Sequence, residues 1–227
     1  MTPASSIADE APADRSEERA QMVKEQIEDR GVKNARVLEA MRSVPREWFV
    51  PEKFAPKAYR DHPLDIGHGQ TISQPYIVAA MTELLDPQPD QTVLEVGTGS
   101  GYQAAVLAKL VREVDTIEIV AELAERAKKT LAAHGFSNVH VFSGDGYRGR
   151  PDLAPFDGII VTAAPDSVPK PLLEQLKIGG RLVIPVGRQH GHQMLKVLER
   201  TKDGIKTREI FEVRFVPMTG EAEKKAN

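Results

Sequence analysis

Two hydrophobic periods alternate along this chain, and each change of period marks an element. From about Glu17 to Arg30, Met22, Val23 and Ile27 fall on one side at helical spacing, and Gly31 stops the run. Asn34 has the character of an N-cap for a second helix that uses Val37, Leu38 and Met41 and ends at Pro45. Trp48, Phe49, Val50 and Phe54 form an apolar cluster between prolines, as expected for the packing of a small helical N-terminal subdomain. Residues 60–73 read as a polar, glycine-bearing loop, and loops of that length inside a compact domain are often functional. A helix then begins at Gln74, with Pro75 in its first turn and Ile77, Val78, Met81, Leu84 and Leu85 as its buried stripe.

Beyond residue 90 short apolar runs alternate with helical patterns. The runs are 92–96, 114–119, 139–142, 156–161 and 181–187, and the intervening helices are expected from residue 104, over 121–134 and over 169–176. Strands alternating with helices predict a doubly wound, mostly parallel α/β sheet with helices on both faces. The last part changes character. Met194–Thr201 and Ile205–Val216 flank Asp203-Gly204, a hairpin signal, so the sheet should end in an antiparallel pair with Ile205, Phe211, Val213 and Phe215 on one face.

The chemistry concentrates where the first of these strands ends. Val93-Leu94-Glu95-Val96 runs into Gly97, Gly99 and Gly101, and helical spacing resumes at Ala104. Strand, glycine turn and helix start form a place where backbone N–H groups meet a ligand and no Cβ obstructs it. Glu95 lies inside the motif, and Glu118 lies seventeen residues past Gly101 at the end of the next apolar run, where a carboxylate can take both hydroxyls of a ribose. Tyr102 stands where a dinucleotide fingerprint would have its last glycine. Ligands of open α/β sheets bind beyond the carboxyl ends of the strands, and Gly97–Gly101, Glu118, Asp145 and Thr162–Pro165 all occupy such ends.

Composition narrows the picture further. The chain's 227 residues can bury one good core, which makes one domain the default. Residues 1–15, rich in Ala, Pro, Ser and acidic residues, read as a flexible tail. Residues 16–227 read as a single domain, with a helical part and loop over 16–90 and the ligand-binding sheet over 91–227. A net charge of −3 with no dense Lys/Arg block does not indicate a nucleic-acid surface. Absence of Cys excludes a disulfide framework, a thiolate nucleophile and a Cys-based metal site. With no membrane-length apolar run and no signal-peptide pattern, a cytoplasmic monomer without membrane or nucleic-acid partner is expected.

Several stretches together resemble the protein-L-isoaspartate O-methyltransferase family. They are Val44–Val50, Gly69-Gln70-Thr71-Ile72-Ser73-Gln74-Pro75-Tyr76, Val93–Gln103, Gly144-Asp145-Gly146, Ile160–Pro165 and Arg214–Thr219, spread over residues 20 to 220. The glycine loop alone resembles class I methyltransferases in general; the Gln-Thr-Ile-Ser-Gln-Pro stretch is far more specific. The resemblance implies a Rossmann-like methyltransferase fold and S-adenosyl-L-methionine as methyl donor, with S-adenosyl-L-homocysteine as product and no metal. It implies as substrates proteins and peptides carrying L-isoaspartyl sites, with D-aspartyl sites unranked beside them, methylated on the free α-carboxylate so that repair proceeds through a succinimide.

On that resemblance Gly97, Gly99 and Gly101 would approach the methionine part of the donor, with Glu95 beside them. Glu118 would hold the ribose, Ile119 would pack on the adenine, and Asp145 with Gly146 would face that ring. Gln70, Thr71, Ile72 and Ser73 would close over the donor, and Thr219 would reach in from the C-terminal strand. Ser73 resembles the family's active-site serine; read from spacing alone it is an N-cap of the helix that follows, and both roles stay open.

The chemistry is consistent with these residue types. An isoaspartyl α-carboxylate has a pKa of roughly 3.3–3.7, so it is ionised at neutral pH and needs no general base. Loss of both reactant charges in the transfer favours a dry site. Ser73 would donate a hydrogen bond that aims the carboxylate and would not act as a nucleophile, because no His or Lys is placed by the sequence to activate it. His62, His68, His190 and His192 read as solvated loop residues. The rival readings are a NAD-dependent oxidoreductase, a class I methyltransferase for another small-molecule or protein substrate, and a cofactor-binding module without catalysis. Tyr102, the lack of an evident base and the intact Thr71-Ile72-Ser73 stretch count against them in that order.

Overall fold

In the computed structural model, which describes residues 14–189 and 191–221, the N-terminal helices and a hairpin pack on one face of a seven-stranded sheet. The first helical stretch is α1 (Ser16–Met22), continued by a π-helical turn over Val23–Glu28; Met22, Val23 and Ile27 are fully buried. Helix α2 (Ala35–Ser43) starts at Asn34, whose side chain accepts from the N–H groups of Arg36 at 3.0 Å and Val37 at 3.3 Å. Glu83 reinforces that start, accepting from Lys33 N and Asn34 N at 2.7 Å each. The expected tail lies over 1–13 outside the described residues, but Arg15 does not belong to it: its guanidinium donates to the Ala55 carbonyl at 2.6 Å and lies over the Tyr59 ring.

The expected apolar cluster divides. Phe49 is buried and Val50 and Phe54 pack against the core, whereas Trp48 is 40% exposed and stacks on His134 at 3.7 Å. The expected polar loop of 60–73 contains a hairpin, β1 (Leu64–Gly67) and β2 (Gln70–Ile72). The reason is a short period-two pattern: Leu64, Ile66 and Ile72 point inward while Asp65 and Thr71 stay exposed. Helix α3 (Pro75–Leu85) follows as expected, burying Val78, Met81 and Leu85.

The sheet then builds outward from its first strand, β3 (Thr92–Val96). Helix α4 (Tyr102–Ala108), β4 (Glu113–Glu118), α5 (Ala121–Ala133) and β5 (Val139–Ser143) extend it on one side. The chain crosses back to lay β6 (Phe156–Val161) along the other side of β3, and α6 (Lys170–Glu174) and β7 (Leu176–Val186) continue there. Strands β3 to β7 are parallel. The antiparallel pair β8 (Gln193–Thr201) and β9 (Gly204–Val213) completes the order β5-β4-β3-β6-β7-β8-β9. Val93 packs under the helical cap while Leu94 and Val96 pack on the opposite face with Ile159 and Leu172, so β3 is buried on both sides.

Two strand readings need correction. β7 begins at Leu176 rather than 181; its register with β6 slips between Phe156 and Gly158, and Gly179, at φ 86°, sits in the bulge this creates. β9 ends at Val213, and a register shift opposite Leu195 adds one residue to it. One added residue reverses the in–out alternation. Phe211 and Val213 therefore pack toward the core, while Ile205 stands on the other face, 41% exposed. Val216 and Pro217 leave the hairpin altogether and bridge Ala164, three residues past the end of β6. Among the described residues no helix is long and apolar enough to cross a membrane.

Replacing the α2 cap, Asn34→Ala, should lower the unfolding free energy by about 1 kcal/mol in chemical denaturation. An unchanged midpoint would mean that Glu83 alone holds the helix start.

Candidate active site

The crevice opens where the chain reverses direction across β3, since β4 and β6 leave its two sides toward opposite edges of the sheet. Gly97 is the first residue past β3. Its N–H donates to the Ile117 carbonyl at 2.9 Å, and its own carbonyl accepts from the Thr162 hydroxyl at 2.6 Å. Any side chain at Gly97, which has φ 97°, would overlap that hydroxyl. Gly99 donates to Glu118 Oε2 at 2.8 Å, and Val120 N donates to Glu118 Oε1 at 3.0 Å. The Glu118 carboxylate at the end of β4 is thereby fixed against the glycine turn, with lone pairs left on both oxygens.

One cavity is lined by Gln70, Thr71, Gly97, Gly99, Glu118, Ile119, Gly146 and Thr219, all of them expected from the sequence. Thr162 and Ala163, placed by the sequence at a ligand-binding strand end without a role, line it as well, and so do Val96, Ile117 and Val216–Met218, which were missed as site residues. The apolar members belong to strand ends and offered only core periodicity; Thr162 carried a signal in its place at the end of a parallel strand. Ile119 is an isoleucine left 42% exposed at this cavity, a flat apolar surface suited to an aromatic face.

Three expected residues lie elsewhere. Ile72, Ser73 and Glu95 line a smaller adjoining cavity together with Gly97, Ser100, Tyr102 and Gln103. Thr71 and Thr162 line both. Two more line neither. Gly101 packs on helix α5, where a Cβ would sit 3.3 Å from Leu131 and 3.4 Å from Ala127, so its lack of a side chain serves helix packing. Asp145 turns both carboxylate oxygens to backbone: Oδ1 accepts from Tyr147 N at 2.9 Å and Oδ2 from Glu221 N at 2.8 Å. Only its neighbour Gly146 reaches the cavity.

Ser73 is not a helix cap. The N-cap of α3 is Gln74 and no side chain caps it; the half-buried Ser73 hydroxyl has no partner among the described residues. Ser73 also lines a groove of about 1090 Å³ on the outer side, with Arg30, Gln74, Tyr76 and residues of β9 and its continuation through Val216. Thr71 and Thr162 line this groove too, so the three spaces meet around Thr71, Ser73 and Thr162.

Glu95 is fully buried beneath the turn. Its Oε2 accepts from the Thr116 hydroxyl at 2.5 Å, a hydroxyl that also lies 2.6 Å from that of Thr98. Its Oε1 has no partner. Burial, with the Glu118 charge added to it, pushes the Glu95 carboxyl up to about 8 despite the Thr116 bond. From behind, the buried Arg46 lies 5.1 Å from the Tyr102 ring and donates to the Ala58 carbonyl at 2.8 Å, tying the cap to the wall of the small cavity. Among the described residues no group of three or more His, Asp or Glu side chains is placed to hold a metal ion. His190 lies outside the described residues; His192 is exposed beside Glu212. A glycine turn, a carboxylate fixed beside it, an exposed isoleucine and an unsatisfied buried acid could together hold a nucleoside that carries a charged amino-acid tail.

Residues 17–223 match the family model described as protein-L-isoaspartate(D-aspartate) O-methyltransferase. Relatives named protein-L-isoaspartate O-methyltransferase include one from Gloeobacter violaceus, 56% identical over 88% of this chain and 98% of its own. Another, from Methanospirillum hungatei, is 53% identical over 91% of this chain and 95% of its own. A solved structure described as a putative protein-L-isoaspartate O-methyltransferase from Plasmodium falciparum, in complex with S-adenosyl-L-homocysteine, superimposes with TM-score 0.78 at 25% identity, covering 88% of this chain and 98% of that one.

Glu95→Gln keeps the shape of the protonated acid and removes its titration. The folded value of about 8 lies above that of an unfolded carboxyl, ~4.3, so the folded state holds a proton that the unfolded state releases. Stability from this group is full below about pH 4 and is lost as pH rises through about 8. The variant should therefore gain stability relative to its parent between those limits, read as urea midpoints. A constant difference across the range would mean that Glu95 is ionised in the free protein.

Proposed function

Because the chain belongs to the protein-L-isoaspartate(D-aspartate) O-methyltransferase family, we propose a division of labour among the residues around the crevice. The enzyme transfers a methyl group from S-adenosyl-L-methionine to the free α-carboxylate of L-isoaspartyl residues in damaged proteins and peptides, which starts their repair through a succinimide. Gly97, Gly99 and Glu95 hold the amino-acid end of the donor, Glu118 the ribose, and Ile119 and Gly146 the adenine. Gln70, Thr71 and Ile72 cover it from the β1–β2 hairpin, and Thr219 from the C-terminal segment. Gly101 and Asp145 act from outside, through packing and backbone bonds. Residues 16–227 work as one methyltransferase domain, a cytoplasmic monomer with no nucleic-acid or membrane partner.

The observation that carries this assignment is the unpartnered Ser73 hydroxyl, which lines both the small cavity against the glycine turn and the outer groove. When bound, S-adenosyl-L-methionine supplies a methyl carbon on a positively charged sulfur. The acceptor carboxylate, with a pKa of roughly 3.3–3.7, arrives ionised, so no residue here has to remove a proton. Ser73 donates its O–H to one carboxylate oxygen and thereby orients the other. Ile72, Val216, Pro217 and Met218 present apolar walls that keep water, which stabilises charged reactants, away from the reacting groups.

The groove suits a main chain rather than particular side chains. β9 is the edge of the sheet. Val213 pairs with Gln193, and Phe215 exchanges both backbone bonds with the Gln193 side chain, N to Oε1 at 2.6 Å and Nε2 to O at 3.2 Å. Alternation along a strand then turns the N–H and C=O of Glu212 and Arg214 outward, and both residues line the groove. An extended peptide pairing there would be read through its backbone, which supports acceptance of damaged sites in many sequences.

With labelled S-adenosyl-L-methionine, an isoaspartyl peptide should be methylated and its normal-aspartyl twin should not; label on neither would refute the reading. Ser73→Ala should lower kcat about tenfold or more while donor affinity stays within about twofold, since one charge-assisted hydrogen bond is lost; an unchanged kcat removes Ser73 from the chemistry. N-methylation of the peptide backbone, moved one residue at a time along its flank, should raise KM about tenfold at alternate positions and little between them. Uniform tolerance would exclude pairing on β9 and leave the methyl transfer untouched.

A further inference from the structure

The outer groove carries few charges, and they are held unequally. Among its described lining residues the charged ones are Arg30, Glu212 and Arg214. Glu212 has a partner in His192, whose Nδ1 lies 3.2 Å from Glu212 Oε1. Arg214 is exposed just past β9. Arg30 comes from the other side, two residues past the π-helical turn of the N-terminal helices, and it is held far more closely.

Its guanidinium carbon lies 3.7 Å from the centroid of the Tyr76 ring, and Nη1 donates to Asp61 Oδ2 at 2.8 Å. Asp61 is fixed in turn, because its carbonyl accepts from Gln74 Nε2 at 3.3 Å. Gln74 directly follows Ser73, and Tyr76 lies three residues past it, so both supports of the guanidinium belong to the segment that carries the Ser73 hydroxyl. The Tyr76 ring rests against Phe211 of β9, 6.3 Å between centroids, which ties the stack to the far wall of the groove.

An arginine held at one nitrogen and on one face has its plane set and donors to spare. Among the described residues no hydrogen bond uses Arg30 Nε or Nη2. Those two N–H groups point the same way and form the side-on fork that matches the two oxygens of a carboxylate. The stack on Tyr76 has already restricted the side chain, so less conformational entropy is lost when a carboxylate arrives. The reacting carboxylate is not the one that fits here, since Arg30 lines neither cavity at the glycine turn. What reaches Arg30 is a second acid, elsewhere on the bound peptide.

We propose that Arg30 is a specificity-determining residue of the groove: it takes the carboxylate of an Asp or Glu side chain flanking the isoaspartyl residue, so that damaged sites with an acidic neighbour are bound in preference to the same sites with a neutral one. The inference rests on the assignment of the groove to the peptide and deepens it. Backbone pairing along β9 admits many sequences, and Arg30 ranks them.

The test uses isoaspartyl peptides acetylated and amidated at their ends, so that no chain-end carboxylate competes, with one flanking position at a time occupied by Glu or by Gln. Binding is read by fluorescence anisotropy of the labelled peptide with S-adenosyl-L-homocysteine present, and KM is measured in parallel. In the parent, the Glu peptide should bind about fivefold more tightly than its Gln twin at one flanking position at low salt, and the ratio should fall toward one as salt is raised. Arg30→Gln should bring that ratio to about one, and Arg30→Lys, which keeps the charge without the planar fork, to about two. Arg214→Gln should leave it at the parent's value. Each ratio is taken within one protein, so a general loss of affinity in a variant cancels. A parent ratio of one at every flanking position overturns the proposal, as does a parent that binds none of the peptides. It is overturned equally by a ratio that either Arg30 variant leaves unchanged, or by one that Arg214→Gln abolishes. If the parent binds the peptides and methylates none, the methyl-transfer reading falls instead, and the binding ratios still decide the role of Arg30.

Discussion

The Thr162 hydroxyl resting on the Gly97 carbonyl is the contact on which the site depends. It forms at the point where β3 and β6 end side by side, with Thr162 N bonded to the Val96 carbonyl at 2.9 Å and its hydroxyl reaching Gly97 O at 2.6 Å. Those two bonds hold the strand ends together just where a crevice has to open above them. They also explain the glycine: a β-carbon at 97 and the hydroxyl at 162 would claim the same space. Thr162 then lines all three spaces of the site, as Thr71 does from the opposite hairpin.

Two carboxylates meet this crevice in different surroundings. Glu118 ends β4 with two backbone N–H groups on its oxygens. Glu95 sits one strand away, buried, with one hydroxyl for a partner and one oxygen bare. A carboxylate so placed is costly to ionise, and its neighbour's charge adds to the cost. A cationic group delivered to the small cavity would relieve both, which is a physical reason for an acid inside a motif otherwise built of glycine and apolar residues.

Period and punctuation made the sheet legible: β3 to β6, the glycine turn and Glu118 follow from apolar runs ended by glycine or acid. The errors arise where one residue changes meaning without changing pattern. An extra residue opposite Leu195 turns Ile205 to the surface, and a glycine bulge hides the true start of β7. The β1–β2 hairpin was legible in principle from Leu64, Ile66 and Ile72, but polar and glycine residues outnumber them. Gly101 and Asp145 could not be resolved from local sequence. A glycine facing a helix 26 to 30 residues ahead, or an aspartate bonding an N–H 76 residues on, has the same local signature as one facing a ligand.

A continuous run of backbone from Val213 to Glu221 borders two of the three spaces of the site. Its first half walls the groove and its second half walls the cavity at the glycine turn, with Val216 in both. Such a run has no ladder of its own past β9, so its conformational entropy has to be offset by bonds from elsewhere. It receives them at intervals: the Gln193 amide at Phe215, the Ala164 backbone at Val216 and Met218, and the Asp145 carboxylate at Glu221. Each comes from a different element, so the segment's shape is set by the assembled sheet and not by its own sequence. A segment fixed in that way can carry backbone groups and small side chains at constant spacing along both spaces.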